Sequence, residues 1–173
     1  MKKCWLMVGG AAALLGMAAY AQWPDAEPLP EGTQADGVLV LKSERALILL
    51  KNGQPLKTYP IALGWHPEGH KQQEGDRKTP EGRYVIDSRN DKTAYHRSLH
   101  ISYPNAEDKA RATANGVDPG GMVMIHGQRR GLGFVGRWHR WLDWTHGCIA
   151  LTNREVEEIA RVVSDGTPIE IRP

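Results

Sequence analysis

Between residues 38 and 63 the apolar positions come in short runs broken by polar pairs, and the period is that of strands. Val38 to Leu41 and Ala46 to Leu50 predict two strands joined by the polar turn Lys42-Ser43-Glu44-Arg45. Asn52-Gly53 predicts a tight hairpin, because both residues accept positive φ, and Leu56 to Leu63 gives a third strand. Tyr84 to Asp87, Leu99 to Tyr103, Met122 to Ile125 and Pro168 to Ile171 are further strand candidates. Helical periodicity is clear only after residue 150. There Thr152 or Asn153 can cap a helix, Glu155 lies in its first turn, and Val156, Ile159, Ala160 and Val163 recur at helical spacing up to Asp165-Gly166. Asp108 to Ala114 predicts no more than a helical turn. The expected fold is therefore mainly β, a largely antiparallel sandwich or barrel-like domain with one clear helix.

The N-terminus has a different pattern. Lys2 and Lys3 precede an uncharged run from Cys4 to Ala21 that ends in Ala19-Tyr20-Ala21, the layout of a signal peptide cut before Gln22. An uncut membrane anchor is the alternative, since the run is just long enough to span a bilayer. Residues 22–37 are rich in Pro, Gly and acidic side chains and predict a flexible leader, so that residues 38–173 form the domain. Secretion across the inner membrane, to the periplasm or cell wall with no stable anchor after cleavage, is the expectation.

Charge and cysteine content narrow the chemistry. The chain has 22 Lys and Arg against 20 Asp and Glu, and loss of Lys2 and Lys3 leaves it neutral, which gives no electrostatic basis for binding nucleic acid. Of its 2 cysteines, Cys4 leaves with the signal segment. Cys148 then stands alone in an oxidising compartment where structural cysteines pair. His66 and His70 are four apart but have Pro67 and Gly69 between them, and His96 and His100 share that spacing but His100 sits on an expected strand, so neither pair has the helical geometry of two metal ligands; no metal is expected.

The stretch 122–159 contains two His-Gly pairs, His126-Gly127 and His146-Gly147, and Cys148 follows the second directly. A thiol becomes a good nucleophile when an imidazole takes its proton. His146 is only two residues from Cys148, whereas His126 arrives at the end of a separate strand, which favours His126 as the base and leaves His146 to shape the pocket. Gly147 lacks a Cβ, and its N–H together with that of Cys148 is expected to face a developing oxyanion. Residues 128–144 carry Arg129, Arg130, Arg137 and Arg140 with Trp138, Trp141 and Trp144, a segment suited either to packing or to a lid whose arginines hold substrate carboxylates.

Ile125-His126-Gly127 with Thr145-His146-Gly147-Cys148-Ile149 resembles the active-site motif of the L,D-transpeptidase catalytic domain, the YkuD family. Thr79-Pro80-Glu81-Gly82, Ile101-Ser102-Tyr103-Pro104-Asn105 and Gly166-Thr167-Pro168-Ile169 are similar to further family blocks, so the resemblance runs from about Val38 to Arg172. It implies a mainly β domain acting on peptidoglycan stem peptides without a metal or organic cofactor. Cys148 would attack the carbonyl at the L centre of diaminopimelate in a tetrapeptide stem, expel D-alanine and pass the acyl group to an amine, on a second stem or a wall-attached lipoprotein. Water as acceptor would make it an L,D-carboxypeptidase or amidase, and a wall-binding module without turnover is the distant alternative. By position, His126 would be the base, Gly127 would orient it through its backbone, His146 and Gly147 would line the oxyanion side, and Thr145 and Tyr103 would contact substrate. Many members carry Arg two residues after the Cys, where this chain has Ala150; Arg129, Arg137 or Arg140 is the expected substitute.

Overall fold

The computed structural model describes residues 19–22 and 26–173. The expected signal segment, including Cys4, lies outside the described residues up to position 18.

Strands β1 (Gly37–Leu41), β2 (Ala46–Lys51) and β3 (Gln54–Pro60) form the expected meander. The two-residue turn between β2 and β3 has Asn52 and Gly53 both at positive φ, 52° and 75°, as its twist requires. Then follow β4 (Gly82–Asn90), β5 (Ser98–Ile101), α1 (Ala106–Ala114), β6 (Met124–His126), the 3₁₀ segment Gly133–Trp141, β7 (Ile149–Ala150), α2 (Asn153–Val162) and β8 (Thr167–Arg172). All eight strands join one curled sheet in the order β3-β2-β1-β8-β4-β5-β6-β7.

The mainly β expectation is met, with two refinements. The sheet is mixed, since β8 runs parallel to β1 and antiparallel to β4, and β6 runs parallel to β7. Within the domain a second α-helix, α1, joins the expected one after Cys148. The α1 helix begins with a complete capping box in which Asn105 accepts from the Asp108 N–H and Asp108 accepts from the Asn105 N–H. Its buried residues are only Asp108 and Ala112, so it lacks the apolar stripe that would have announced it. The α2 helix has both signals: Thr152 and Glu155 form its capping box, and Val156, Ile159, Ala160 and Val162 are buried against the sheet.

Residues 27–36 are not a loose leader. The Leu29 N–H donates to Glu158, Arg161 donates to the carbonyls of Leu29 and Pro30, and the Ala35 N–H donates to the Val162 carbonyl at 2.8 Å. This segment is thereby fastened along α2. Among the described residues no helix is long and apolar enough to cross a membrane.

The curl brings the sheet's two edges together. Beyond β3 the chain runs on to bridge Ala62 with Ala150 of β7 and Gly64 with Thr145. The Asp143 carboxylate reinforces this seam, accepting from the Leu63 N–H at 2.8 Å and from the Arg45 guanidinium. Residues 145–148 turn at that seam.

Candidate active site

Parallel pairing of Ile125 with Ile149 and His126 with Ala150 fixes where the two reactive side chains point. Side chains alternate along a strand. Cys148, one residue before Ile149, and His126, one residue after Ile125, therefore project to the same face, opposite to the buried Ile125 and Ile149. By ideal strand spacing their Cα atoms lie on a diagonal of about 8 Å.

His126 is 1% exposed and held from several sides. Its Nδ1 lies 2.6 Å from the Gly127 carbonyl, and since a carbonyl only accepts, Nδ1 carries the proton and Nε2 keeps its lone pair. The Tyr95 ring lies over it at 4.1 Å between centroids, and the Trp144 ring meets it edge-on at 5.7 Å. Burial pushes its pKa down to about 4, against a smaller opposing effect of the Gly127 carbonyl. Gly127 is required by packing: a Cβ there would lie 2.8 Å from Asn153 Oδ1 and 3.0 Å from Val156 Cγ1. The same Asn153 Oδ1 accepts from the Gln128 N–H at 2.9 Å, which ties the end of β6 to the start of α2.

The Cys148 sulfur lies 3.6 Å from the Met122 carbonyl and receives a hydrogen bond from the Met124 backbone N–H. Burial pushes its thiol pKa up, while the Met124 N–H and the charge of Lys71 pull it down. Burial thus favours the neutral form of both groups, the thiol of Cys148 and the imidazole of His126.

The turn before Cys148 is stapled by Thr145. Its hydroxyl accepts from the Gly147 N–H at 3.1 Å and donates to the Cys148 carbonyl at 2.7 Å. Gly147 stands at φ 121°, and a Cβ on it would meet the Lys78 carbonyl at 2.6 Å. The structure thus departs from the expectation that the Gly147 N–H faces the cleft: Thr145 Oγ1 already takes it, and of the expected pair this leaves the Cys148 N–H. Thr145, buried and doubly bonded to the backbone, shapes the turn. His146 is exposed at its tip.

The other residues expected to bind substrate are scattered. Tyr103 is buried, donates its hydroxyl to the Pro119 carbonyl at 3.0 Å and packs edge-on against Tyr84. Arg140 donates to both carboxylate oxygens of Glu155, the capping-box residue of α2. Arg137 lies over the Tyr20 ring at 4.8 Å, and Arg129 is exposed beside the Tyr95 bridge. Ala150, where many YkuD members carry Arg, is fully buried, with its N–H and carbonyl both bonded to Ala62. The 3₁₀ segment kinks at Gly136, whose carbonyl accepts from Gln128 Nε2 at 2.8 Å, and it is clamped to α2 through Arg140. Trp144 packs on His126, while Trp138 and Trp141 stack on each other with Trp141 outside.

Sequence reasoning missed Tyr95, which carried no motif, and the ion pair of buried Lys71 with half-buried Asp76, 2.8 Å apart in the loop before β4. The five-residue spacing of that pair across Gly75 was the one available signal. Among the described residues no group of His, Cys, Asp and Glu is disposed to hold a metal ion.

Known proteins resemble this chain in sequence and fold. The profile of the YkuD family, described as the L,D-transpeptidase catalytic domain, matches residues 35–171. YafK of Escherichia coli K12, named as a candidate L,D-transpeptidase, is 32% identical over 133 residues, covering 73% of this chain and 46% of YafK. The crystal structure of the helical cell shape determining protein Pgp2 from Campylobacter jejuni superposes with a TM-score of 0.61 at 25% identity, covering 90% of this chain and 53% of that one. An L,D-transpeptidase from Mycobacterium smegmatis shares the fold with a TM-score of 0.52 at 15% identity, over 80% of this chain and 59% of that one. The chain thus spans about half the length of these relatives.

Proposed function

Because the chain belongs to the L,D-transpeptidase catalytic domain family, we propose that it is a cysteine acyltransferase acting on peptidoglycan stem peptides outside the inner membrane. The observation that carries this reading is the register of β6 on β7, which directs Cys148 and a singly protonated His126 to one face at the sheet's seam. In the proposed first step the Cys148 S–H gives its proton to His126 Nε2 as sulfur bonds to the carbonyl at the L centre of diaminopimelate. The tetrahedral oxyanion is received by the Cys148 N–H. Collapse breaks the amide bond, and the imidazolium returns the proton to the departing D-alanine amine. The thioester then acylates an amine, with His126 again taking the proton.

Neutral partners suit this sequence, because charge then forms only as the carbonyl is attacked. Gly127 acts through its carbonyl, which fixes the tautomer, and Thr145 acts through the turn it staples. Arg129 is the arginine best disposed for a substrate carboxylate, since it is exposed next to Tyr95, the residue stacked on His126.

Intact-mass analysis of the purified protein with a disaccharide-tetrapeptide tests the proposal. A tripeptidyl adduct on the protein and none on Cys148→Ala is the expected result; no adduct on either refutes it. Product masses then separate acceptors, with dimers indicating transfer and tripeptide alone indicating hydrolysis.

A further inference from the structure

Lysine is rarely buried unless paired, and Lys71 is only 4% exposed. Its Nζ donates to the Gln73 carbonyl at 2.9 Å and to Asp76 Oδ1 at 2.8 Å, which uses two of its three donors. Asp76 is organised in turn. It accepts from the N–H groups of Gln72, Gln73 and Lys78, and although burial opposes its charge, these bonds and Lys71 hold its carboxyl below the usual range.

The loop braced by this pair is the wall on which the Cys148 turn rests. A Cβ on Gly64 would lie 2.2 Å from the Arg77 carbonyl and 3.0 Å from the Gly147 Cα, and one on Gly147 would lie 2.6 Å from the Lys78 carbonyl. Three backbone segments are therefore in contact, and the ion pair is joined to them where the Lys78 N–H donates to Asp76 Oδ1 at 3.0 Å. The groups at the sulfur are the Met122 carbonyl and the Met124 N–H, His126 projects to the same face from the adjacent strand, and exposed His146 precedes it on the turn; the charge of Lys71 favours the charged form of the thiol.

We propose that Lys71, clamped by Asp76 behind the Gly147 turn, supplies the fixed positive charge that stabilises the sulfur once Cys148 has given its proton to His126. Lys71 keeps all of its protons; the S–H bond breaks and an N–H bond forms on the imidazole. It acts through Cys148 as a positioning residue. The inference rests on the reading of Cys148 as the nucleophile, and it explains how a half-buried thiol becomes anionic only when a base is at hand.

The test is the pH dependence of Cys148 alkylation by iodoacetamide on the full chain, read at the Cys148 peptide by mass spectrometry so that Cys4 does not contribute. Lys71→Met should move the midpoint up by at least about one pH unit, which is about tenfold slower alkylation at neutral pH. Lys71→Arg should restore most of the loss. Asp76→Asn keeps the cation and removes its counter-charge, so it should move the midpoint down. Opposite shifts from the two positions support the proposal, because a loop that was merely loosened would move both the same way. Equal-sign shifts, or an unmoved midpoint in Lys71→Met, overturn it. Should Lys71→Met fail to fold, Asp76→Asn decides: a lowered midpoint supports, an unchanged or raised one overturns. Alkylation needs no peptide substrate, so these shifts stand or fall separately from the tetrapeptide adduct.

Discussion

The chain uses the dipeptide His-Gly twice within about twenty residues, and the two copies have opposite physical lives. His126 is sealed beneath Tyr95 and Trp144 with one nitrogen fixed by a carbonyl, and Gly127 is glycine because α2 leaves no room for a Cβ. His146 is exposed at the tip of a turn, and Gly147 is glycine because its φ of 121° and the Lys78 carbonyl both exclude a side chain. The first pair gains a defined tautomer from its surroundings, and the second gives the backbone a path to Cys148. Identical letters thus carry an acid–base role in one place and a conformational role in the other.

The sharpest way to break this contrast is to remove each imidazole. His126→Asn should lower kcat/KM by about 10² to 10⁴-fold, the usual worth of a positioned base, with the acyl adduct forming correspondingly slowly. His146→Asn should cost less than about tenfold, since an exposed ring at the turn tip contributes at most a substrate contact. A reversed order of the two losses would assign the base to His146 and undo the reading of the site.

The glycines give the next largest contrast. Gly147→Ala meets a backbone carbonyl that cannot step aside and a φ that L-residues avoid, so the turn must move. A displacement near 1 Å at the nucleophile is worth about 100-fold in rate, and kcat/KM should fall by that order. Gly127→Ala meets the end of the Asn153 side chain and Val156, which have some freedom. It should cost about 1–3 kcal/mol of stability in urea titrations and about tenfold in kcat/KM. Equal kinetic losses would mean that both glycines serve packing alone.

Stability should also report the burial of the first pair. In the folded protein His126 titrates near pH 4, well below its usual value, because it is shut away from water. Between that pH and about 6.5 the unfolded chain binds a proton that the folded chain refuses, so stability is full above the window and declines as pH falls through it. The decline attributable to His126 is about 3 kcal/mol. His139, pushed down to about 3 by burial and by Arg140, adds to the slope. Urea titrations from pH 7 to pH 4 on the parent protein and His126→Asn should show the flatter profile in the variant; parallel profiles would mean that His126 is protonated without penalty.

How much of this was legible beforehand depended on whether the signal was local. The meander β1 to β3 was readable from alternation and from Asn52-Gly53, and α2 from its cap and apolar period. Strand β7 was not, because two residues count as a strand only through their parallel pairing with β6. The parallel placement of β8 beside β1 joins the two ends of the domain and leaves no trace in either segment. In the candidate site, Cys148 and His126 stood out by motif. The commitment of the Gly147 N–H to Thr145, the ring of Tyr95 over His126 and the Lys71–Asp76 pair each depend on atoms meeting in space, which residue spacing does not encode.

The smallest expected effect concerns what holds each pair in place. The first pair is fixed from outside, by the wall of α2, whereas the second is fixed from within, by the Thr145 hydroxyl spanning its own turn. Thr145→Val keeps the shape and removes both bonds, leaving the Gly147 N–H and the Cys148 carbonyl unanswered in a buried turn. The cost should be about 1–3 kcal/mol in stability, with a several-fold loss in kcat/KM as the turn samples other conformations. Thr145→Ser retains the hydroxyl and should stay near the parent in kcat/KM, losing only the methyl contact. If Val and Ser behave alike, the hydroxyl is not the staple, and the close approach of Gly147 to Lys78 must hold the turn by itself.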